Sequence, residues 1–296
     1  MSSEFSLPSF AKVNLHLRIA GKRADGFHEI CTVFQAISLR DTLTFREADS
    51  LQMTCSDASI PVDSDNIIMR AAQLLEELVG NGRGADIHLQ KRIPSPGGLG
   101  GGSSNAAAAL IGLTRLWEVE LPAAEMHAIA AALGSDVPFF LTGGTAMGTG
   151  RGEIIEPIDD KTGPYMLVVT PAIDVSTAKA YPSLHAPNLT FDDPDLILRV
   201  CRDDARSLDL HLSVLINDFE HSVFEAFPEI GEVKQELLKL GAVNALLSGS
   251  GASVFAVFDK EETRQAAIKA LDIRSTWRKF AVAAVSRSEY REAFRR

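Results

Sequence analysis

Cysteine is scarce in this chain, with three thiols, Cys31, Cys55 and Cys201, among 296 residues. Their number is odd and no two of them have Cys-x-x-Cys spacing, so neither a disulfide framework nor a zinc site is indicated. No apolar run approaches the ~20 residues that span a bilayer, and the first residues lack the basic and apolar segments of a secretory signal. These absences predict a soluble, unprocessed protein of the reducing cytoplasm.

Basic residues are also in deficit. Lys and Arg total 29 against 39 Asp and Glu, which gives a net charge of -10 at pH 7. General binders of nucleic acid or of membranes carry a basic surface, so neither class is expected here, and any phosphate must be bound locally. The length and the 46% hydrophobic fraction allow two domains, each with its own core.

A glycine-rich loop is the most informative stretch. It runs Pro94-Ser95-Pro96-Gly97-Gly98-Leu99-Gly100-Gly101-Gly102-Ser103-Ser104-Asn105 and leads directly into alanines. Glycines tolerate positive φ, so the loop can point successive N–H groups at an anion, and the unpaired N–H groups that open the following helix add positive charge. Ser103 or Ser104 can cap that helix and offer a hydroxyl to phosphate or magnesium. A flexible linker is the alternative.

Two common glycine-rich loops do not fit this stretch. The lysine of the P-loop is absent, and Ser103 stands where the dinucleotide fingerprint requires its third glycine. What remains, a proline and glycine run that ends in Ser-Ser-Asn-Ala-Ala, resembles the phosphate loop of the GHMP kinases.

The stretch before this loop contains a predicted strand and a turn. Apolar and polar residues alternate from Phe10 to Ile19, so Lys12 and Asn14 share a face with His16 and Arg18. Lys12 and Asn14 could meet one ligand, or they could belong to a solvated sheet face. Asp25-Gly26 predicts a reversal before a second strand.

Helices and a domain boundary follow from periodicity and capping. Asp65 is expected to cap a helix that begins near Ile67, and further helices are predicted from Ser103 to about Trp117 and from Pro122 to Leu133. The polar segment Asp159–Pro164 predicts a boundary between domains 1–160 and 161–296. The second domain has the order βα…ββαβ, which is close to a ferredoxin-like fold.

The resemblance to the GHMP kinases covers nearly the whole chain. Its segments occur in the family's order: Pro8–Leu15, Arg23–Glu29, the glycine loop, Gly134–Phe140 and Ser248–Ala252. It implies an α+β fold of two domains, an N-terminal mixed sheet with helices (ribosomal-protein-like) and a C-terminal ferredoxin-like domain. The Asp-Gly-Phe-His-Glu element points to the branch that uses ATP to phosphorylate the 2-hydroxyl of a cytidine-diphosphate-linked methylerythritol in isoprenoid precursor synthesis.

By this resemblance Lys12 and Asp136 are the catalytic pair. Phosphoryl transfer asks a protein mainly to position groups and spread charge, with a carboxylate to take the hydroxyl proton. Asp136 would be that base, and Lys12 would orient the hydroxyl and offset the charge that develops. The alternatives are a helix cap for Asp136 and an exposed strand lysine for Lys12.

The same resemblance assigns the binding residues. ATP would lie on the loop residues Pro94, Ser95, Pro96, Gly97, Gly98, Leu99, Gly100, Gly101, Gly102, Ser103 and Ser104, with Asn66 either near the adenine or acting as a cap. Ser104 is the one ligand nominated for Mg²⁺. The cytidine substrate would contact Phe27 by stacking, His28 by hydrogen bonds, and Asn14, Gly249, Ser250 and Gly251; Tyr181 is either a second aromatic wall or a core residue.

Other functions remain open at this point. A GHMP kinase that acts on homoserine or mevalonate has the same phosphate loop, and an ATP-binding module without catalysis would keep the loop but has no need of both Lys12 and Asp136. The partners expected are small molecules, ATP and the cytidine-linked alcohol, with the protein a monomer or a homodimer.

Overall fold

The computed structural model describes residues 4–23, 25–80, 82–161, 163, 165–175, 194–210 and 215–295. A mixed sheet contains β1 (Phe5–Lys22), β2 (His28–Arg46), β3 (Leu51–Cys55), β4 (Ala85–Gln90), β5 (Thr145–Thr149), β6 (Ile154–Pro157) and β8 (Ile216–Asn217). Its order is β3-β4-β2-β1-β8, and β5 pairs with both β2 and β6. The β1–β2 hairpin is antiparallel, whereas β3–β4 and β1–β8 are parallel pairs.

A second, antiparallel sheet consists of β7 (Tyr165–Thr170), β9 (Asn244–Leu247), β10 (Val254–Phe258) and β11 (Arg278–Val282), in the order β11-β7-β10-β9. By chain order this is fourth, first, third, second, so the ferredoxin-like prediction is confirmed. Every residue of β10 is buried because Phe255 and Val257 enter one core cluster while Val254, Ala256 and Phe258 enter another. A strand covered on both faces is apolar throughout instead of alternating.

The helices cover these sheets. In the described part of the chain they are α1 (Ile67–Val79), α2 (Gly101–Leu116), α3 (Ala123–Leu133), α4 (Val137–Thr142), α5 (Pro194–Ser207), α6 (Glu220–Ala226), α7 (Pro228–Lys239), α8 (Glu261–Ala270) and α9 (Arg287–Ala293), with a 3₁₀ turn at Leu271–Ile273. None of the helices in these described stretches is long and apolar enough to cross a membrane.

Helix α2 is the central helix of the first core. Its run Ala106–Ala109 is fully buried against the first sheet, and a Cβ at Gly112 would overlap the ring of Phe45. Small side chains let this helix lie close to β2, so its first turn is held in a fixed position.

Two segments from the second half of the chain return to the first sheet. Asn217 in β8 pairs with Leu17 in β1, and Tyr290 in α9 is buried in the first core, where its hydroxyl donates to the carbonyl of Phe140 at 2.7 Å. Burial raises the pKa of the Tyr290 phenol far above its usual range. The division at residue 160 therefore remains a prediction.

Several local predictions are corrected. Asn66, and not Asp65, caps α1, because its Oδ1 accepts from the N–H of Ile68 at 2.8 Å. Helix α2 begins at Gly101 with Gly100 at its N-cap, so neither Ser103 nor Ser104 caps it. The segment that follows Gly134, for which the sequence predicted no helix, contains the short helix α4.

The alternation along β1 also changes beyond Asn14. A register shift between Asn14 and His16 inserts one residue on β1, after which His16 pairs with Val33 and Arg18 with Cys31. Such a bulge reverses which side chains share a face, so His16 and Arg18 do not continue the face of Lys12 and Asn14.

Candidate active site

Lys12 lies on β1 and is buried, with 3% of its surface exposed. Its Nζ donates to Asn14 Oδ1 at 2.7 Å and to the carbonyl of Gly98 at 3.0 Å, and it lies 3.3 Å from Asp136 Oδ2. These three contacts match the three N–H bonds of an ammonium. The alternative of an exposed strand lysine is therefore wrong, and Lys12 joins β1, the glycine loop and Asp136.

Asn14 is oriented by its neighbours. Its Nδ2 donates to Thr32 Oγ1 at 2.8 Å, and the Thr32 hydroxyl donates to the carbonyl of His16 at 2.8 Å. Because the Thr32 hydroxyl donates its only proton to that carbonyl, its oxygen must accept from the amide of Asn14. The Asn14 carbonyl oxygen is thereby turned toward Lys12.

Asp136 lies in the connection between α3 and α4. It occupies the N-cap position of α4 but makes no capping hydrogen bond, so the alternative of a cap is not supported. Its side chain is 32% exposed and one oxygen faces Lys12. A Cβ built on Gly152, in the β5–β6 turn, would lie 3.9 Å from Asp136 Oδ1. The carboxylate thus lies between the lysine and that turn and is partly exposed to solvent.

The glycine loop turns its carbonyl groups toward the protein. Leu99 O accepts from the Lys12 N–H at 2.9 Å, Gly97 O accepts from Ser253 N at 3.1 Å, and Gly98 O accepts from Lys12 Nζ and from Ser248 Oγ. Gly98 and Gly100 have φ of 69° and 68°, and a Cβ at Gly98 would overlap the carbonyl oxygen of Ser248. These two positions require glycine for conformation and for space.

The start of α2 supplies donors for an anion. The first hydrogen bond that closes this helix runs from Ser104 N to Gly100 O at 2.8 Å. The N–H groups of Gly101, Gly102 and Ser103 precede it, so they have no partner within the helix. Together with the helix dipole they make a site suited to phosphate.

The second glycine loop, Ser248–Ala252, reaches the lysine from the other sheet. Gly249 O accepts from Asn217 Nδ2 at 2.8 Å, which fixes the loop to β8. A Cβ at Gly249 would lie 3.3 Å from Lys12 Nζ and 3.5 Å from Asn14 Oδ1. Ser250 and Gly251 complete the loop, and Gly251 N donates to Ser248 O at 3.0 Å.

The tip of the β1–β2 hairpin carries Phe27 and His28. Phe27 is 53% exposed, and the guanidinium of Arg151 lies 4.9 Å from the centroid of its ring. Burial, followed by the charge of Lys22, lowers the pKa of His28 below its usual value, which favours the neutral imidazole. Tyr181, the other predicted aromatic of this site, lies outside the described residues.

Comparison of the sequence with known proteins shows the family to which the chain belongs. The sequence family described as GHMP kinases N terminal domain matches residues 66–144, and GHMP kinases C terminal matches residues 200–275. A protein of Chlorobium phaeobacteroides (strain BS1) named 4-diphosphocytidyl-2-C-methyl-D-erythritol kinase is 44% identical over 88% of this chain and 91% of its own length. The chain belongs to the 4-diphosphocytidyl-2-C-methyl-D-erythritol kinase family.

Other relatives agree with that membership. A kinase of the same name from Chlorobaculum tepidum is 41% identical over 92% of this chain and 94% of its own. A crystal structure of 4-(cytidine 5'-diphospho)-2C-methyl-D-erythritol kinase superposes with a TM-score of 0.76 at 33% identity, covering 95% of this chain and 100% of that one. Homoserine kinase from Cytophaga hutchinsonii, at 20% identity and a TM-score of 0.73, shares the fold alone. The predicted family and its two-part α+β fold are confirmed.

Ser104, predicted to bind Mg²⁺, and Asn66, predicted to lie near the adenine, both make hydrogen bonds within the protein. Ser104 is 1% exposed and its Oγ lies 2.8 Å from Ser9 Oγ, which donates to it. Besides capping α1, the amide of Asn66 donates from Nδ2 to the carbonyl of Pro61 at 2.6 Å. The cap is therefore present, whereas the adenine contact and the metal contact remain predictions.

Sequence reasoning missed a charged group beside the phosphate loop. Lys91 Nζ is buried, pairs with Asp41 Oδ2 at 2.7 Å, and would lie 3.2 Å from a Cβ on Gly101. The loop itself contains no lysine, but folding brings this ammonium to the start of α2. In the sequence, only its position between β4 and Pro94 indicated a role near the loop. A single lysine at that position does not predict a phosphate contact unless the fold is known.

Proposed function

We propose that the protein transfers the terminal phosphoryl group of ATP to the 2-hydroxyl of 4-diphosphocytidyl-2-C-methyl-D-erythritol, giving the 2-phosphate and ADP in isoprenoid precursor synthesis. The observation that carries this proposal is the contact of Lys12 with both the glycine loop and Asp136. The contact brings a phosphate site, an ammonium and a carboxylate to one place, which is what phosphoryl transfer to an alcohol requires.

In this reaction Asp136 accepts the proton of the attacking 2-hydroxyl. Its carboxylate is one-third exposed, so an alcohol can reach the oxygens that Lys12 leaves available. Lys12, held by Asn14 and Gly98, donates to the reacting oxygens and offsets the negative charge that develops on the transferred group. Asn14 positions both the ammonium and the substrate alcohol.

ATP binds with its phosphates on the loop residues Pro94–Ser104. The support is the donor set at Gly101, Gly102 and Ser103, together with the dipole of the helix that they open. The adenine side of the site includes Asn66. The amide donors fit a nucleotide triphosphate without a lysine in the loop.

Mg²⁺ accompanies the nucleotide in this proposal and neutralises part of the phosphate charge. The described residues contain no group of three or more His, Cys, Asp or Glu side chains that could hold a metal ion. At nucleotide sites most ligands of Mg²⁺ are phosphate oxygens and waters, so the ion needs few ligands from the protein. The Ser104 hydroxyl, close to the first turn of α2, is the protein ligand that we nominate.

The acceptor lies between the β1–β2 hairpin and the second glycine loop. Cytosine stacks on the exposed ring of Phe27, and neutral His28, with one donor and one acceptor nitrogen, meets the base edge. Tyr181, outside the described residues, remains the second aromatic residue predicted for this site. Gly249, Ser250 and Gly251 line the alcohol end beside Lys12.

The enzyme is further proposed to act in the cytoplasm as a monomer or homodimer, with domains 1–160 and 161–296. Cys55 is a free thiol, which is compatible with a reducing compartment.

A coupled ADP-release assay with three alcohols tests the substrate. We expect turnover with 4-diphosphocytidyl-2-C-methyl-D-erythritol and none with homoserine or mevalonate. Turnover of homoserine or mevalonate in preference to the cytidine compound would reject the proposed acceptor, and ATP binding without any turnover would favour a non-catalytic module.

A further inference from the structure

Arg151 stands between the two ends of the proposed acceptor site. It lies in the β5–β6 turn, with its guanidinium carbon 4.9 Å from the centroid of the Phe27 ring. The next residue is Gly152, where a Cβ would lie 3.9 Å from Asp136 Oδ1. One short turn therefore borders the aromatic ring on one side and the carboxylate on the other.

The turn is fixed to the hairpin that carries Phe27. Gly150 N donates to Glu29 Oε1 at 2.8 Å, and Gly150 O accepts from the N–H of Ile30 at 2.8 Å. Arg151 N donates to Glu153 Oε2 at 2.6 Å. Because both backbone groups of Gly150 are engaged, the Arg151 backbone keeps one position relative to Phe27 and Asp136.

The guanidinium of Arg151 has unused hydrogen-bonding capacity. Its one ion pair with a described residue is the contact of Nε with Glu153 Oε1 at 3.4 Å, and its side chain is 31% exposed. No acceptor in the described part of the chain meets its two terminal amino groups. A planar fork of N–H donors of this kind matches the oxygens of a phosphate.

We propose that Arg151 binds the diphosphate of the acceptor. This inference rests on the proposed function, in which the base lies on Phe27 and the alcohol lies at Asp136. The diphosphate joins those two ends of the substrate, so it must pass the turn that joins the same two ends of the site. Arg151 is therefore a specificity residue that distinguishes a diphosphate-linked alcohol from an uncharged one, and it takes no part in proton transfer.

Calorimetric binding of cytidine and of cytidine diphosphate to Arg151→Gln tests this assignment. Glutamine keeps an amide near the Phe27 ring but removes the charge. Hydrogen bonds to charged groups are worth about 1.5–3 kcal/mol, so the affinity for cytidine diphosphate should fall about tenfold to a hundredfold while that for cytidine is unchanged. Arg151→Lys should recover part of the loss, because it keeps the charge without the fork.

Arg40→Gln is the matched control. Arg40 also lies over a phenylalanine, 5.7 Å from the Phe10 centroid, but at a position of β2 paired with Phe10 and not with the hairpin tip. Arg40→Gln should change neither the affinity for cytidine nor the affinity for cytidine diphosphate. An equal loss for both ligands in Arg151→Gln would make Arg151 a support of the ring, and no loss would remove it from the site; either result overturns the inference. If the wild-type protein binds neither ligand, the proposed cytidine site itself fails.

Discussion

Replacing Asp136 with asparagine separates proton transfer from structure at the candidate site. The amide has the shape of the carboxylate and keeps an oxygen that can accept from Lys12, which lies 3.3 Å away. It has no basic oxygen to take the proton of an alcohol. The substitution therefore removes one function and leaves the packing in place.

The expected magnitudes follow from exposure and contacts. Loss of a general base lowers kcat by about 10²–10⁴-fold. Because 32% of the Asp136 side chain is exposed, solvent screens the ion pair, which contributes less than about 1 kcal/mol to the free energy of unfolding. Lys12 keeps its bonds to Asn14 and Gly98. For a chain of this size that corresponds to a fall in Tm of no more than about 4 °C.

Steady-state kinetics with the cytidine substrate, followed by thermal unfolding of the same samples, measures both quantities. Asp65→Asn is the control, since Asp65 is exposed and precedes the actual cap of α1. It should match the wild type in kcat and Tm. If Asp136→Asn loses less than about tenfold in kcat, a smaller effect than general bases show, Asp136 does not take the proton. A large fall in Tm would instead make the residue structural.

The remaining predictions concern binding and stability. Phe27→Ala should raise KM for the cytidine substrate, because it removes the stacking of one base, worth ~1–3 kcal/mol, and should leave KM for ATP unchanged. An equal rise in both KM values would move Phe27 out of the cytidine site. Asn66→Ala should lower the free energy of unfolding in denaturant by about 0.5–2 kcal/mol, and a simultaneous rise in KM for ATP would support its adenine contact. Gly249→Ala, with φ of 57° and its Cβ 3.3 Å from the ammonium of Lys12, should lower kcat/KM for the acceptor in the same kinetic assay, whereas wild-type values would show that this loop lies farther from the substrate. Because the pKa of His28 is lowered, acceptor affinity should stay constant through neutral pH and fall only as the ring protonates in acid, which a KM profile against pH would show; a fall that begins above the ordinary histidine range would contradict it.

The parts of the fold with strong local patterns could be predicted from the sequence. The βα…ββαβ order of the second half predicted a ferredoxin-like sheet, and the observed strand order confirms it. The helix that follows the glycine loop was expected because the loop ends in a run of alanines, Ala106–Ala109. Hydrophobic periodicity and chain order carry this information, since they depend only on near neighbours.

Predictions failed where one residue changed the local geometry. Asp65 and Asn66 are both good caps, and sequence alone does not decide between adjacent residues. Gly100, with φ of 68°, is the N-cap of α2 in place of the serines, and the helix begins at Gly101. On β1 the alternation places Lys12 and Asn14 together correctly, but the bulge beyond Asn14 ends the pattern, and nothing in the sequence marks that extra residue.

The contact of Lys12 with Asp136 belongs to a different class of information. The two residues are far apart in the chain, and neither spacing nor periodicity relates them. Their pairing was expected only through the resemblance to a family, and the structure places them 3.3 Å apart. Arg151 and Phe27 share no such motif, which is why their contact was not anticipated.

The phosphate loop shows why a motif needs its surroundings. A run of glycines can expose either its N–H groups or its carbonyl groups, and only the N–H groups can bind an anion. Here the carbonyls of Gly97, Gly98 and Leu99 are occupied by donors from Ser253, Ser248 and Lys12. These donors come from β1 and from the loop before β10, so both halves of the chain hold the loop in the conformation that leaves the N–H groups at the start of α2 for a phosphate.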